Sequence, residues 1–333
     1  LDFNENTVGP SQRVYEAIKE INLDEISIYP EYNLLKEFLC NHYHYSRKFN
    51  PEEIGLFNGA DAAINAIFNA FGSRDEIFLT TNPTFGYYSP CSEMQGMKRI
   101  VCSYEGENFF FPIKKFEEKI IKYNPKLVFI CNPNNPTGTV LNAQQIIDFA
   151  KLNQKSLIVI DELYEKFNGD SLLPLIDFEK IKNIVIIQSL SKTAGLAGLR
   201  MGFAFGNKKI IEYINKVTGP YDVNSFAVTA TLAALNDKTY IDNYVSEVKK
   251  AREWIEKKFK SVKIRNHFSG GNYFLIWPNK NPLVLIEEMR EKGILIRSMK
   301  NKKDIENSIR VSIGTQEQMK FFWNTYKELD FNF

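Results

Sequence analysis

The chain has 333 residues and a mass of 38.5 kDa, with 44% hydrophobic and 25% charged residues, so it can bury a large core and is expected to form two domains. Lys and Arg number 42 against 40 Asp and Glu, and this formal charge of +2 gives no reason to expect nucleic acid or an anionic membrane as a partner. The apolar runs are too short to cross a bilayer, and no basic segment followed by an apolar stretch opens the chain, so a cytoplasmic location is expected.

Short apolar runs alternate with segments of helical period from about residue 54 to residue 205. This alternation is typical of βαβ units around a mostly parallel sheet, and it predicts a large α/β domain. Helices are expected at 61–70, 112–122 and 142–153, the last with Asn142 as its N-cap. The predicted strands are 76–80, 99–102, 126–131, 156–160, 183–188 and 201–205.

A smaller α+β unit is predicted after a long amphipathic helix at 240–259. Its expected strands are 272–277, 294–297 and 308–313, and its expected helices are 282–292 and 316–329. Segments before Tyr29 are expected to pack with this unit. The predicted division is therefore a large domain at 30–240 and a small domain made of 1–29 and 241–333.

Neither the histidines nor the cysteines form a recognisable ligand pattern. His42 and His44 lie two apart with no third ligand in view, so a solvated helix face is expected there and no metal site. The cysteines are scattered without a CxxC pair and are expected to be reduced thiols in or near the core: Cys40, Cys91, Cys102 and Cys131.

Polar residues directly follow three of the predicted strands. The run 127–131 leads into a turn rich in Pro and Asn at 132–138, the run 157–160 leads into Asp161, and the run 184–187 leads towards Lys192. Ligands of open parallel sheets sit beyond the carboxyl ends of the strands, so these groups should converge on one crevice.

The chemistry of these groups matches a phosphorylated pyridine aldehyde. A desolvated Lys192 close to Arg200 could react with an aldehyde as a neutral amine, and a buried Asp161 would find the cationic partner it needs in a protonated pyridine nitrogen. Two hydroxyls and a guanidinium suit a phosphate dianion, and these are Ser189, Ser191 and Arg200. The helix start at Gly59, Ala60 and Asp61 offers backbone N–H groups to the same anion, although helix capping alone would also explain it. Phe85 could lie on an aromatic ring, although core packing is the commoner role of such a residue.

With these motifs in place, the chain resembles the fold-type I pyridoxal 5′-phosphate (PLP) aminotransferases, and within them it is most similar to the histidinol-phosphate aminotransferases. The similarity covers nearly the whole chain. The resemblance implies a large, mostly parallel, seven-stranded sheet domain beside a smaller α+β domain. The matching elements are Asn4 to Ser11, Tyr29 to Glu31, Gly59 to Asp61, Asn135 to Gly138, Asp161 to Tyr164, Ser189 to Arg200, Arg297, and Ile309 to Val311.

The resemblance also implies roles for single residues. Lys192 would hold PLP as a Schiff base and carry the proton of the reaction, Asp161 would pair with the pyridinium nitrogen, and Tyr164 and Asn135 would hydrogen-bond the cofactor's phenolate oxygen. Phe85 would stack on the ring. The residues implied to hold the phosphate are Gly59, Ala60, Asp61, Ser189, Ser191 and Arg200.

A homodimer with shared sites is implied as well, since Tyr29 matches a tyrosine that reaches the cofactor phosphate of the partner subunit. Arg310 matches the arginine that clamps the substrate carboxylate, and Arg297 matches one that helps to hold a substrate phosphate. For either arginine, a solvated strand end is the alternative.

The chain departs from the family pattern near the substrate. A proline and a large residue usually follow the first motif, where this chain has Thr7 and Val8, and the large residue helps to close over the substrate. The residues expected to contact the substrate are Arg310, Arg297, Asn135 and Val8. Ala62 stands where the family commonly has an acidic residue. The cofactor set is untouched, so we expect a glutamate-dependent aminotransferase acting on a small phosphorylated amine or ketone such as dihydroxyacetone phosphate.

Two other classes of protein are alternatives to this expectation. Threonine-phosphate decarboxylases share the scaffold and resemble the chain at 294–298 and around 223–224, and a PLP-dependent decarboxylase of O-phospho-amino acids is the alternative function. A non-catalytic sensor would be expected to carry a further domain. The glycine motifs of NAD- and ATP-binding loops are missing from the sequence.

Overall fold

The structure is a computed structural model that describes residues 1–42, 49–169 and 171–331. Most of its helices pack on the two faces of one large sheet or flank a second, smaller one. The helices are α1 Gln12–Lys19, α2 Leu23–Ser27, α3 Asn33–His42, α4 Gly59–Phe71, α5 Tyr88–Met94, α6 Ile113–Tyr123, α7 Ala143–Leu152, α8 Glu165–Asn168, α9 Lys208–Asn215, α10 Ser225–Asn236, α11 Lys238–Lys260, α12 Pro282–Glu291 and α13 Gln316–Asp330.

Seven of the strands in the described residues form the large sheet, in the order β1-β7-β6-β5-β4-β2-β3. Only β7 runs against its neighbours, and the other pairs are parallel. Every residue of β4, β5 and β6 is buried, because helices cover both faces of the sheet. The strands are β1 Ile54–Asn58, β2 Ile77–Asn82, β3 Lys98–Ser103, β4 Leu127–Cys131, β5 Leu157–Asp161, β6 Ile184–Ser189 and β7 Met201–Gly206.

The small sheet is antiparallel and has the order β10-β11-β9-β8. Its strands are β8 Arg265–Phe268, β9 Tyr273–Trp277, β10 Arg297–Ser298 and β11 Ile309–Ser312. The first residues of the chain join this sheet, since the Ser312 amide donates to the Leu1 carbonyl and the Asn272 side chain donates to the Asn4 carbonyl. Helix α1, in contrast, packs on α10 beside the large sheet. The N-terminal segment thus contacts both units, and the exact division into domains stays a prediction.

The predicted α/β fold with a mostly parallel seven-stranded sheet is confirmed. No end of the six predicted strands of the large sheet lies more than two residues from its observed position, and the Asn142 side chain caps α7 as expected. The strand predicted at 294–297 is wrong in extent, because only Arg297 and Ser298 pair with β11. Ile294 and Ile296 are buried while Leu295 is exposed, so the side chains alternate as in a strand without reaching a partner strand.

The cysteines are placed as expected, but His42 is not. Cys40, Cys91, Cys102 and Cys131 are buried free thiols. His42 is not on a solvated face, because it is half-buried beside Phe38 and burial lowers its pKa to about 4. His44 lies outside the described residues. No helix of the described residues has both the length and the apolar character needed to cross a membrane.

Candidate active site

A cavity of about 620 Å³ opens at the carboxyl ends of β4, β5 and β6, where the polar residues were expected to converge. Three sequence-distant strand ends contribute to its wall, through Asn135, Asp161 and Lys192. Further lining residues that enter the chemistry below are Phe3, Glu5, Ala60, Asp61, Phe85, Tyr164, Ser189, Ser191, Arg200, Arg297, Lys302 and Arg310. The convergence predicted from the sequence is therefore present in the fold.

Lys192 lies in the loop that follows β6, and its ammonium group donates a hydrogen bond to the Phe3 carbonyl at 2.8 Å. Burial lowers its pKa to about 8, and the positive charge of Arg310 acts in the same direction. An ordinary lysine stays protonated far above neutral pH, whereas Lys192 has a sizeable neutral fraction near pH 8. It is therefore suited to attack an aldehyde as a free amine.

Asp161 ends β5 as a buried carboxylate, with 2% of its surface exposed. It accepts hydrogen bonds from the Tyr88 hydroxyl at 2.6 Å and from the Leu163 amide at 3.3 Å. Burial raises its pKa to about 6, and the Tyr88 hydrogen bond opposes that rise. In the described part of the chain no Lys, Arg or His forms an ion pair with it. A cationic ring nitrogen in the cavity would supply the missing charge.

Hydroxyls, a guanidinium and a helix start lie together at another side of the cavity. The Ser189 and Ser191 hydroxyls are 2.8 Å apart, and Arg200 forms an ion pair with Asp61 at 3.1 Å. Gly59 begins α4 with a φ of +81°, and a methyl group on it would collide with the Arg200 guanidinium. Gly59 itself does not line the cavity, but its lack of a side chain lets Arg200 lie over the start of α4.

Tyr164, Asn135 and Arg310 form one buried hydrogen-bond network. The Tyr164 hydroxyl accepts from the side-chain amides of Asn135 at 3.1 Å and Asn4 at 3.2 Å. Arg310 donates to the Asn135 side-chain oxygen at 2.7 Å and to the Asp2 carbonyl at 2.6 Å. Arg310 is only 7% exposed, and its Nε has no hydrogen-bond partner in the described structure. Burial raises the pKa of Tyr164, so the phenol stays protonated when the cavity is unliganded.

The remaining predicted residues differ in how close they lie to this cavity. Phe85 is half-buried in the wall and packs edge-on against Tyr88. Arg297 lines the cavity but forms a two-point ion pair with Asp2. Val8 is 58% exposed and outside the wall, so its predicted role in substrate binding gains no support within one subunit.

Tyr29 also lies outside the cavity of its own chain. It is 71% exposed and stacks on Tyr221 with the ring centroids 4.1 Å apart. An exposed side chain is what a contribution to a second subunit requires, and that contribution stays a prediction.

Several lining or supporting residues were missed by sequence reasoning. Tyr88 belongs to the same aromatic-rich segment as Phe85, at residues 83–88, and that composition is the signal for it. Asn4 and Glu5 belong to the N-terminal motif at 4–11, which carries the family resemblance but indicates no role for either residue. Nothing in the local sequence distinguishes Phe3 or Lys302, because only the tertiary fold brings them to the cavity.

The comparisons with known proteins agree with this geometry. Residues 1–324 match the family described as aminotransferase class I and II. The chain belongs to this family. A histidinol-phosphate aminotransferase from Thermoanaerobacter pseudethanolicus is 31% identical over 334 residues, which covers 99% of this chain and 92% of that protein.

Solved structures share the fold over nearly the full length. The histidinol-phosphate aminotransferase of Sinorhizobium meliloti, in complex with pyridoxal-5′-phosphate, superposes with a TM-score of 0.88 at 21% identity, covering 98% of this chain and 89% of the other. The L-threonine-O-3-phosphate decarboxylase of Porphyromonas gingivalis has a TM-score of 0.83 at 25% identity, with 98% of each chain covered. The predicted fold-type I architecture is confirmed.

The family assignment makes the protein a PLP-dependent aminotransferase, similar to histidinol-phosphate aminotransferases, and both expectations are confirmed. The residues present fit the cofactor. One cavity holds a buried carboxylate with no ionic partner in the described part of the chain, an amine with a lowered pKa, and a group of hydroxyls beside a guanidinium.

Proposed function

We propose that the enzyme transfers an amino group between glutamate and a small phosphorylated ketone, with the phosphorylated amine as the other partner of the exchange. The observation that carries this proposal is Arg310, which is almost fully buried in the wall of the cavity and has an unpartnered Nε. A guanidinium in that state is suited to bind an anionic group of a substrate. Both glutamate and a phosphorylated amine carry such a group.

The roles of the cofactor residues belong to the same proposal. When bound, PLP supplies the electron sink for the reaction. Lys192 would anchor it and move a proton at the substrate Cα, since its lowered pKa makes the neutral amine available as a base. Asp161 would keep the ring nitrogen protonated. Tyr164 and Asn135 would hold the phenolate oxygen, and Phe85 would support the ring. The phosphate would be held by Gly59, Ala60, Asp61, Ser189, Ser191 and Arg200.

The proposal of a small phosphorylated substrate is supported by the names of the similar proteins and by the residues that line the cavity. The similar proteins are named for a phosphorylated amine, histidinol phosphate. Lys302 and Arg310 add positive charge to this cavity, and Arg297 also lines it but is paired with Asp2. Phe3 also lines it, with its ring stacked under the Arg297 guanidinium at 4.3 Å, and this ring limits the room for a bulky substrate.

Decarboxylation of an O-phospho-amino acid is the second candidate. It is favoured by the similarity to the threonine-phosphate decarboxylase structure over the whole chain. Both reactions need the same cofactor residues, because they differ in which bond of the substrate Cα stands perpendicular to the cofactor ring.

A substrate panel tests the two functions against each other. The holoenzyme is incubated with glutamate and either dihydroxyacetone phosphate or imidazole acetol phosphate, and separately with O-phosphoserine or O-phosphothreonine. The proposal expects 2-oxoglutarate to form with a phosphorylated ketone. Release of carbon dioxide from a phospho-amino acid without keto-acid formation would replace transamination by decarboxylation. A clear preference for imidazole acetol phosphate would reject the smaller substrate.

A homodimer is part of the proposal. Helix α2 buries none of its side chains, and Leu23 is 80% and Ile26 58% exposed on it. Tyr29, Leu34 and Tyr221 extend this exposed apolar surface. Apolar surface of this kind favours a partner, and a second copy of the chain would bring Tyr29 to the neighbouring cofactor phosphate. We also propose a cytoplasmic location, which the four buried thiols support.

A further inference from the structure

Lys302 is a cation of the cavity for which the reaction outlined above has no role. It stands on the loop between β10 and β11 and is half-buried in the cavity wall. Its ammonium group donates to the Thr84 carbonyl at 2.8 Å, which places it just before Phe85 and over Gly86. An ammonium group has three donors, so this contact leaves two of them for another acceptor.

The charges around Lys302 differ from those around Arg200 and Arg297, two other basic residues of the cavity. Arg200 is paired with Asp61, and Arg297 is paired with Asp2 through both carboxylate oxygens. Within residues 1–42, 49–169 and 171–331, no carboxylate forms an ion pair with Lys302. Burial lowers the pKa of Lys302, and the positive charges of Arg310 and Arg99 act in the same direction.

The ion pair between Arg297 and Asp2 weakens the binding of a substrate phosphate to that arginine. Its guanidinium contacts the Asp2 carboxylate at 2.6 and 3.1 Å, so its positive charge is already balanced. A substrate phosphate would have to displace Asp2 before it could bind there with full strength. Lys302 has no such competitor among the described residues, and a phosphate dianion beside it would relieve its repulsion from Arg310.

We propose that Lys302 contacts the phosphate of the substrate and determines the preference for a phosphorylated amine over its alcohol. This inference rests on the proposed function, because it assumes a phosphorylated substrate in this cavity. Lysine is a flexible point charge, so Lys302 can follow a phosphate as the substrate enters and leaves. The rival role is a structural one, in which Lys302 only ties its loop to the Thr84 carbonyl.

Steady-state kinetics with matched substrates distinguish these roles. Wild type, Lys302→Gln, Lys302→Arg and Lys303→Gln are compared on histidinol phosphate against histidinol and on serinol phosphate against serinol. Lys303 is the matched control, since it lies next to Lys302 and is exposed. The Lys302→Gln variant loses a charged hydrogen bond to the substrate phosphate. Its kcat/KM for the phosphorylated amine should therefore fall roughly 10- to 100-fold, mostly through a higher KM. The alcohol should lose far less, and Lys302→Arg should recover most of the preference.

Each other outcome overturns the inference in a distinguishable way. If Lys302→Gln lowers kcat/KM equally for phosphate and alcohol, the lysine is a structural tether. If Lys302→Gln keeps the preference of the wild type, another group binds the phosphate, and the proposed function stands without Lys302. If the wild type itself does not prefer the phosphorylated amines, the proposed substrate class fails, and the role of Lys302 fails with it.

Discussion

At the scale of single residues, the site depends on groups whose pKa values are shifted towards neutrality by burial. The pKa of Lys192 falls to about 8, while that of Asp161 rises to about 6. Both shifts have desolvation as their largest cause, and both bring the group closer to the pH at which proton transfer is efficient. Because the cavity buries the Lys192 amine and the Asp161 carboxylate without pairing them with each other, it is suited to bind a charged ligand.

Tyr88 tunes Asp161, and its removal gives a pH-dependent prediction. The hydroxyl donates to the Asp161 carboxylate at 2.6 Å and lowers its pKa, so Tyr88→Phe should raise that pKa above about 6. Since the ionised carboxylate is the active form, activity should be lost at a higher pH as the solution is acidified. The pH profile of kcat measures this shift of the acidic limb.

Tyr104→Phe is the control for Tyr88→Phe. Tyr104 is another largely buried tyrosine that shares a hydrogen bond with the Thr81 hydroxyl, and it has no contact with Asp161. Both variants should lose stability by about 1–3 kcal/mol, because each leaves a polar group without a partner. An acidic limb that stays in place in Tyr88→Phe, or moves equally in both, would contradict a tuning role for Tyr88.

The residues that sequence reasoning found and missed differ in a physical respect. Asp161 and Lys192 follow buried strands, and the end of a parallel strand has a fixed position in an α/β sheet. Phe3 and Lys302 reach the cavity only through long-range packing, which no local pattern encodes. The sequence therefore predicts the cofactor half of the site better than the substrate half.

At the scale of elements, β7 packs closely against the start of α4. A methyl group on Gly202 of β7 would collide with the backbone of Gly59 and Ala60, whereas one on Gly198 has no atom within 4 Å. Gly202→Ala should therefore destabilise the protein by about 1–3 kcal/mol. It should also weaken PLP binding by displacing the start of α4. Gly198→Ala is the matched control and should change stability by less than about 0.5 kcal/mol.

Chemical unfolding and PLP titration measure both effects of Gly202→Ala. If the variant is as stable as Gly198→Ala and binds PLP as tightly as the wild type, the close packing of β7 on α4 has no part in holding the phosphate.

Elements were predicted well where they are buried and apolar. β4, β5 and β6 are buried strands that begin with uninterrupted apolar runs, and their predicted ends lie within two residues of the observed ones. β8 was missed because Arg-Asn-His-Phe is polar and only partly buried at the edge of the small sheet. β1 was missed because it is short and contains Gly55.

At the scale of the whole molecule, the exposed apolar surface of α2 and Tyr29 predicts a dimer in solution. Replacing both Leu23 and Ile26 with Asp should shift the protein towards a monomer, because each charge would be buried in the contact between subunits. PLP affinity should fall as well, since Tyr29 could no longer reach the neighbouring site. Light scattering coupled to size exclusion gives the mass, and a PLP titration gives the affinity.

Leu152→Asp is the control for this surface, because Leu152 is 45% exposed on α7, away from α2. It should leave the dimer intact. A wild-type protein that is a monomer with full activity would contradict both the dimer and the shared site.

The covalent attachment of PLP to Lys192 is the central claim, and reductive trapping tests it most directly. The holoenzyme is treated with borohydride to fix the Schiff base, digested, and analysed by mass spectrometry, with Lys192→Ala treated in parallel. We expect one pyridoxyl-lysine, at Lys192, and no label at any lysine of the variant. A pyridoxyl group on another lysine of the wild type, or no trapped cofactor at all, would contradict the account.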